Sequence, residues 1–141
     1  MATTVTKQVL ENGSRNYRAT YVINSDGSAL TSYLAADGSA AGDMGVIIAG
    51  ATYYPLAHLK IWRVRHDLPP SLNVRLTWEA TSAQDAWAFY GFGKQDWTRD
   101  GGLSTIGIAG ATGKLDFNIA AAAGVSGYGS IELWLKKDFQ Q

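Results

Sequence analysis

The chain has 141 residues, 46% of them hydrophobic, and its twelve basic residues balance twelve acidic ones. This length and hydrophobic fraction disfavour disorder and predict a single domain over residues 1–141. A net charge of zero disfavours nucleic acid as a partner, because proteins that neutralise phosphates usually carry a basic excess. There is no cysteine, which excludes disulfides, thiolate metal sites and cysteine nucleophiles.

No segment of the sequence predicts insertion into a membrane. The first residues lack the basic stretch followed by an apolar run that marks a secretory signal. The most apolar runs, Met44–Ala51 and Ile119–Val125, are too short to cross a bilayer. We therefore expect a protein that is made in the cytoplasm and has no membrane partner.

The N-terminal segment is predicted to be a short arm over residues 1–7, followed by a hairpin. Asn12-Gly13 favours the positive φ values of a tight turn and would link strands at Thr3–Glu11 and Ser14–Asn24. The arm is rich in β-branched residues, which suits addition as a strand to the edge of a neighbouring sheet. Its candidate interface residues are Thr3, Thr4 and Val5.

Alternation of apolar and polar residues continues along the chain and indicates strands that are buried on one face. Trp62 breaks the alternation of its strand, and Trp134 lies on a nominally polar face. The Ala/Gly-rich region Ala35–Ala51 is predicted to be a long loop. The predicted strands are Arg15–Asn24, His58–Arg65, Leu72–Trp78, Ala86–Phe92, Lys114–Ile119 and Ile131–Lys136.

These patterns predict an all-β fold. We count roughly eight to ten strands by template matching and find no convincing amphipathic helix longer than two turns. Sixteen glycines and regular turn signals separate the strands. The expected architecture is a single-domain antiparallel β-sandwich, jelly-roll-like in its topology.

Two glycine-rich motifs resemble nucleotide-binding loops without meeting their requirements. In Gly107–Lys114, Ile108 stands where a phosphate loop needs its first glycine, and Leu115 replaces the hydroxyl residue. The alternating strand that follows also leaves no helix, so a glycine-rich hairpin loop is the interpretation. Gly91-Phe92-Gly93 is half of a dinucleotide fingerprint, but Asp96 occupies the position of the third glycine.

The ionisable residues do not form a recognisable catalytic or metal-binding pattern. His58 and His66 lie near opposite ends of one predicted strand, roughly 26 Å apart at ideal strand rise. Asp85, Asp96 and Asp100 cluster loosely, and turn-forming or capping roles are favoured over calcium binding or catalysis. We therefore predict no catalytic, cofactor-binding or metal-binding residue, no cofactor, and no enzymatic activity.

Five tryptophans in this length are the most informative side chains. Trp134 points with Glu132 and Lys136, and Trp97 lies in a polar loop. Exposed tryptophans commonly mark protein contacts or sugar-stacking platforms, although Trp134 could equally be covered by another segment of the chain. Trp62, Trp97 and Trp134 complete the set of candidate interface residues.

Read as a whole, the sequence resembles a family of small virion proteins of tailed bacteriophages, the capsid decoration or cement proteins and their relatives. The similarity runs from Val9 to Lys137 and rests on the order and spacing of several short motifs. They are Asn12-Gly13-Ser14-Arg15, Asn24-Ser25-Asp26-Gly27-Ser28 with Leu30-Thr31, Ile61-Trp62, Val74–Thr81, Gly91-Phe92-Gly93 with Asp96 and Gly101-Gly102-Leu103, Ala111–Leu115 and Glu132–Lys137. The sequence departs from the family in the alanine-rich run Ile119–Gly124 and in the loop Ala35–Ala51.

The resemblance implies a β-sandwich on the outer surface of the virion that binds and stabilises the assembled head. The implied partner is the major capsid protein, with self-association as a symmetric oligomer, a trimer being favoured. The protein would be made in the host cytoplasm and would act in the virion. Binding an assembled shell in preference to its separate subunits stabilises the assembly by mass action.

Two alternatives remain open. A carbohydrate-binding module of a tail fibre would expose Trp62, Trp97 or Trp134 as an aromatic strip. A head–tail connector or tail-tube subunit would share the same composition, and copy number per particle would separate it from a decoration protein.

Overall fold

The computed structural model describes residues 3–12, 16–37, 56–100, 102–104, 114–121 and 123–139. Within these ranges the chain forms ten β-strands and one short 3₁₀-helix, Thr98–Asp100, and it contains no α-helix. The strands are β1 (Thr4–Asn12), β2 (Asn16–Ser25), β3 (Leu30–Asp37), β4 (Leu56–Asp67), β5 (Leu72–Trp78), β6 (Gln84–Phe89), β7 (Phe92–Asp96), β8 (Leu103–Ser104), β9 (Lys114–Ala121) and β10 (Gly127–Phe139).

The strands form two antiparallel sheets. The larger sheet has the order β1-β2-β10-β4-β7, and β8 also pairs with β4. The smaller sheet has the order β3-β9-β5-β6. The prediction of an all-β antiparallel sandwich is confirmed, and the narrower expectation of a jelly roll stays a prediction.

Strand formation follows the alternation of apolar residues closely. In β5, Leu72, Val74, Leu76 and Trp78 are buried, and the residues between them are more exposed. The same pattern recurs in β9 and in the central part of β10. Side chains of a strand point alternately to its two faces, so each sheet has one apolar inner face and one polar outer face.

Aromatic side chains join the two inner faces. The Tyr21 ring of β2 meets the Phe117 ring of β9 edge to face, with centroids 4.9 Å apart, and Tyr33 stacks on Phe117 at 6.4 Å. The Tyr21 hydroxyl donates a 2.6 Å hydrogen bond to the backbone carbonyl of Ala35 in β3. This hydrogen bond satisfies the buried hydroxyl, so the core can contain a tyrosine without an unpaired polar group.

Four strand pairs are nested in the sequence, each enclosing the next. The pairs β2·β10 and β4·β7 lie in the larger sheet, and β3·β9 and β5·β6 lie in the smaller one. The chain therefore passes between sheets after β2, β3, β4, β6, β8 and β9. As a result, the connections that follow β2, β4, β6 and β9 lie at one end of the sandwich.

The connections at this end contact each other closely. Gly27, in the connection between β2 and β3, has a φ of 94°, which L side chains rarely adopt. A Cβ atom at Gly27 would lie 2.7 Å from the backbone nitrogen of Gly124, in the connection between β9 and β10. Only glycine permits this approach, which brings two distant parts of the chain together.

One predicted strand and the predicted N-terminal arm differ from the structure. The predicted strand Ala86–Phe92 is interrupted at Tyr90-Gly91, where Gly91 has a φ of 55°, so its two parts belong to different sheets. The break at Trp62 corresponds to a bulge, because Trp134 and Leu135 pair with Arg63 and Ile61 and leave Trp62 unpaired with β10.

The residues expected to form an N-terminal arm instead belong largely to the sheet. Thr4, Val5, Thr6 and Lys7 pair in register with β2 from Asn24 back to Tyr21. Backbone hydrogen bonds between β1 and β2 hold these residues, so the predicted arm is corrected to an edge strand of the larger sheet. The predicted turn at Asn12-Gly13, most of the loop Ala35–Ala51 and most of Gly107–Lys114 lie outside the described residues.

Candidate interaction surface

The outer face of the larger sheet carries a row of four residues directly opposite each other on four adjacent strands. Arg18 of β2 pairs with Trp134 of β10, Trp134 pairs with Arg63 of β4, and Arg63 pairs with Asp96 of β7. We call these four residues the charged row. Because cross-strand neighbours on one face lie about 5 Å apart, their side chains can interact along the whole row.

Trp134 lies between two guanidinium groups in the charged row. The centre of the Arg18 guanidinium is 4.8 Å from the centroid of the Trp134 ring, and that of Arg63 is 5.7 Å away. Each arginine also forms an ion pair, Arg18 with Glu132 at 2.5 Å and Arg63 with Asp96 at 3.0 Å. Trp134 is thus half-buried beside arginines from both neighbouring strands.

Asp96 ends the charged row and also caps the first N–H of the 3₁₀-helix that follows. Its Oδ1 accepts a 2.8 Å hydrogen bond from the backbone N–H of Thr98, and its Oδ2 accepts one from Arg63 Nε at 3.1 Å. Hydrogen bonds from Thr98, first from its side chain and then from its backbone, lower the pKa of Asp96, and the positive charge of Arg63 adds to this effect. The carboxylate therefore stays ionised and keeps Arg63 beside Trp134.

A second row on the same face contains two neighbouring cations. Glu132 of β10 pairs with Arg65 of β4, and Arg65 pairs directly with Lys94 of β7. Both cations are exposed. In the described part of the chain neither of them forms an ion pair, and the neighbouring Glu132 forms its ion pair with Arg18. We call Arg65 and Lys94 the cation pair.

Exposed apolar side chains continue this face toward the end of the sandwich. Phe92 of β7 is 66% exposed and Tyr128 of β10 is 72% exposed. Val22 of β2, 45% exposed, lies at the other end of the same cross-strand row as Phe92, with Ser130 and Asp67 between them. We call Val22, Phe92 and Tyr128 the apolar patch. Side chains of this size and exposure are typical of contact surfaces.

The three tryptophans predicted as interface residues differ in position. Trp134 lies in the charged row, and Trp62 is half-buried with the Lys136 ammonium 4.5 Å from its ring centroid. Trp97 is only 8% exposed and meets Trp87 of the smaller sheet edge to face at 4.8 Å. The expectation that Trp97 is an exposed loop residue is therefore wrong, because its ring points between the sheets.

The N-terminal candidates also differ among themselves. Thr3 is 5% exposed, and its hydroxyl donates a 2.5 Å hydrogen bond to the carbonyl oxygen of Ser28 in the connection between β2 and β3. Its backbone N–H donates to the Ser28 hydroxyl at 3.3 Å. Thr4 is exposed, and Val5 is half-buried against the core. Of these three, only Thr4 presents its side chain fully to solvent.

Asp26 belongs to the same polar cluster as Thr3. Its Oδ1 accepts hydrogen bonds from the Ser28 hydroxyl at 2.5 Å and from the Ser28 backbone N–H at 3.1 Å. The hydrogen bond from the Ser28 side chain, as the largest cause, lowers the pKa of Asp26. The carboxylate therefore acts as a turn residue, as its Asp-Gly-Ser sequence predicts.

The residues considered for metal or acid–base chemistry do not converge. His66 Nδ1–H donates to the Gly91 carbonyl at 2.9 Å, and Asp85 lies 3.7 Å from Arg75 on the smaller sheet. Within the described ranges there is no group of three or more histidine, cysteine or acidic residues that could hold a metal ion. These side chains have local structural contacts.

Sequence patterns alone missed the cation pair and the apolar patch. Arg65 and Lys94 are 29 positions apart in the sequence (94 − 65), and only the pairing of β4 with β7 brings them together. The sequence pattern places Phe92 at the end of a longer strand. The signal for a new strand is the glycine at position 91, which has a positive φ in the structure. Tyr128 follows a glycine-rich turn and carried no distinguishing pattern.

Comparison with known proteins yields no match to a family model, to a curated protein or to a solved structure. Among the described residues, no helix has the length and hydropathy that a membrane span requires.

Proposed function

We propose that the protein is a virion structural protein of a tailed bacteriophage, a decoration protein that binds and stabilises the assembled head. The observation that carries this proposal is the exposed outer face of the six-stranded sheet. It combines the charged row, the cation pair and the apolar patch on one rigid surface. Such a mixture of aromatic side chains, arginines and exposed charge suits binding to another protein surface.

The proposal includes a jelly-roll topology. Four nested antiparallel pairs divided between two sheets support it, because a strip of nested pairs rolled into two layers gives this pairing pattern. Jelly rolls occur in viral capsid proteins and in lectins, among other proteins. The topology therefore agrees with a virion role without requiring it.

The proposed role needs no chemical step. A protein that binds only the assembled shell stabilises that shell by mass action. Self-association, with a trimer as the favoured state, would allow one oligomer of the protein to contact several copies of the major capsid protein. Simultaneous contacts multiply modest affinities, since later contacts form at a high effective concentration.

Copy number tests the location on the particle. Purified virions would be analysed by quantitative mass spectrometry against the major capsid protein. We expect a number of copies comparable to that of the capsid protein. Six or twelve copies per particle would instead support a connector or tail subunit.

Deletion of the gene tests the stabilising role. Particles that lack the protein should still assemble but should be less resistant to heat and to low salt. They should lose their DNA at a lower temperature, and at a higher ionic strength during dilution of the salt, than complete particles. Adding back the purified protein should restore the original resistance. Particles that are equally robust without it would contradict the proposal.

The carbohydrate-binding alternative has less support. It expected Trp97 to line an exposed strip, and the Trp97 ring is buried against Trp87. The Trp134 ring is flanked by Arg18 and Arg63, which restricts the flat face that a sugar ring would need.

A further inference from the structure

We infer that the outer face of the larger sheet docks onto an acidic protein surface that also presents an apolar side chain. The cation pair would bind carboxylates of the partner, and the apolar patch would receive its apolar residue. The inference rests on the proposed function, because the partner surface is taken to belong to the assembled capsid shell. It adds which face binds and which chemistry that face recognises.

The cation pair is the first support for an acidic partner. Arg65 and Lys94 lie directly opposite each other on neighbouring strands, and like charges in this arrangement repel. Glu132 is next to Arg65 in the same row but forms its ion pair with Arg18. Asp67 and Asp96 lie two positions from Arg65 and Lys94 on the same strands but form no ion pair with them, so carboxylates from outside can bind this pair.

The apolar patch lies next to the cation pair. Phe92 is two residues from Lys94 on β7, which corresponds to about 7 Å along a strand. Tyr128 is two strands away from β7, or about 10 Å across the sheet. One partner segment can therefore reach both features, with an acidic residue over the cations and an apolar residue over the aromatic rings.

The outer face of the smaller sheet lacks this combination. One cation of that face, Arg75, lies 3.7 Å from the Asp85 carboxylate on the adjacent strand. Leu34, 43% exposed, is the large exposed hydrophobic residue on the described part of that face. Within the described residues, the combination of two cations without an ion pair and exposed aromatic rings is therefore found on the larger sheet.

Acidic residues on the same face favour protein over nucleic acid as the partner. Glu132, Asp96 and Asp67 all lie in rows that contain the cations or the apolar patch. A phosphate backbone carries only negative charge and cannot complement these carboxylates, and it offers no apolar group for Phe92 and Tyr128. A protein surface can place its own charges to complement both signs.

Charge and patch variants with matched controls on the opposite face test the inference. Arg65→Glu changes the charge of the proposed docking face, and Arg75→Glu makes the same change on the smaller sheet. Tyr128→Ser removes an exposed aromatic ring, and Leu34→Ser removes an exposed apolar side chain from the smaller sheet. Arg65→Gln is included because it removes the cation without adding a second acid next to Glu132. Thermal melts confirm that each variant is folded.

The probe is a shell assembled from the major capsid protein in the absence of this chain, and binding is measured by co-sedimentation. We expect Arg65→Glu and Tyr128→Ser each to weaken binding about tenfold or more, as central interface residues do. Arg65→Gln should weaken binding less than Arg65→Glu, and both control variants should stay within about twofold of the unmodified protein, as peripheral residues do. The affinity of the unmodified protein should also fall as ionic strength rises.

The failure of the inference is distinguishable from the failure of the proposed function. If the unmodified protein binds shells and the face variants bind equally well, the docking face is wrong and the capsid role stands. If the unmodified protein does not bind shells, the capsid role fails.

In that second case the docking chemistry is judged on an immobilised glutamate–tyrosine copolymer. Retention of the unmodified protein at low salt, with earlier elution of Arg65→Glu than of Arg75→Glu, supports an acidic protein partner. Equal elution of the two variants overturns it. Stronger retention on immobilised duplex DNA than on the copolymer also overturns it in favour of nucleic acid.

Discussion

Trp97 and Trp134 have similar surroundings in the sequence and opposite surroundings in the fold. Trp97 stands between Asp96 and Thr98, and Trp134 lies two residues from both Glu132 and Lys136. Trp97 nevertheless packs between the sheets at 8% exposure, whereas Trp134 lies on the outer face among arginines.

Strand register explains the difference. Asp96 pairs with Arg63 on the outer face, so the next residue, Trp97, points inward. Trp134 pairs with that same Arg63 and therefore shares its face. The polarity of sequence neighbours is a poor guide to burial when adjacent residues of a strand point in opposite directions.

The largest effect is expected for Trp97→Ala. Removing a core indole should lower the free energy of unfolding by roughly 3–5 kcal/mol, because both the buried surface and the packing around it are lost. Urea denaturation followed by circular dichroism measures this change. A loss below about 1 kcal/mol, within the range of surface substitutions, would contradict the interior position of Trp97.

A smaller loss is expected for Tyr21→Phe. The ring contact with Phe117 is retained, but the Ala35 carbonyl loses the hydrogen bond from the Tyr21 hydroxyl. An unsatisfied buried acceptor costs about 1–3 kcal/mol. Urea denaturation at neutral pH provides the measurement, with Tyr128→Phe as the control because Tyr128 is 72% exposed. Equal stability of Tyr21→Phe and the unmodified protein would show that water replaces the lost donor.

Trp134→Leu should cost about 1 kcal/mol. The leucine keeps part of the apolar contact, and exposed cation–π interactions contribute only about 0.5–1 kcal/mol each. The Arg18 side chain is 42% exposed, so solvent screening limits the energy of its interactions. Denaturation curves recorded beside those of Trp97→Ala give the comparison directly. A cost as large as that of Trp97→Ala would show that the outer face is part of the core.

The smallest change is expected for Asp96→Asn, and its size depends on pH. The lowered pKa of Asp96 means that the folded state favours the ionised carboxyl. Its contribution to stability is present above the ordinary value of 3.8 and is lost as pH falls through the lower folded value. The melting temperatures of the variant and the unmodified protein should therefore differ at neutral pH and converge below that value. A difference that widens under acid would contradict the assigned cause.

Much of the fold was predictable because it depends on local alternation. The predicted strand Leu72–Trp78 has the bounds of β5, and the predictions at Lys114–Ile119 and Ile131–Lys136 lie within β9 and β10. The alternation of apolar and polar residues does not predict where the chain leaves one sheet for the other. The run Ala86–Phe92 is continuous in hydropathy, but Tyr90-Gly91 divides it between β6 and β7.

The candidate surface was only partly predictable. Trp134 is predicted from its position on a polar face and Trp62 from the break in the alternation of its strand, and both signals are local. The cation pair depends on the pairing of β4 with β7, and the apolar patch on the pairing of β10 with β2 and β4. A single sequence does not specify which strands become neighbours, so residues brought together by pairing cannot be read from spacing.

The nested pairing also bears on how the protein is synthesised. The last strand, β10, lies in the middle of the larger sheet between β2 and β4. While a ribosome still holds β10, the nascent chain has no partner for the inner edges of these two strands, and unpaired edges promote aggregation. Pairing across such a long stretch of chain is also slow. Folding of the larger sheet should therefore finish only after β10 has left the ribosome, and its yield should depend on temperature and chaperones during expression.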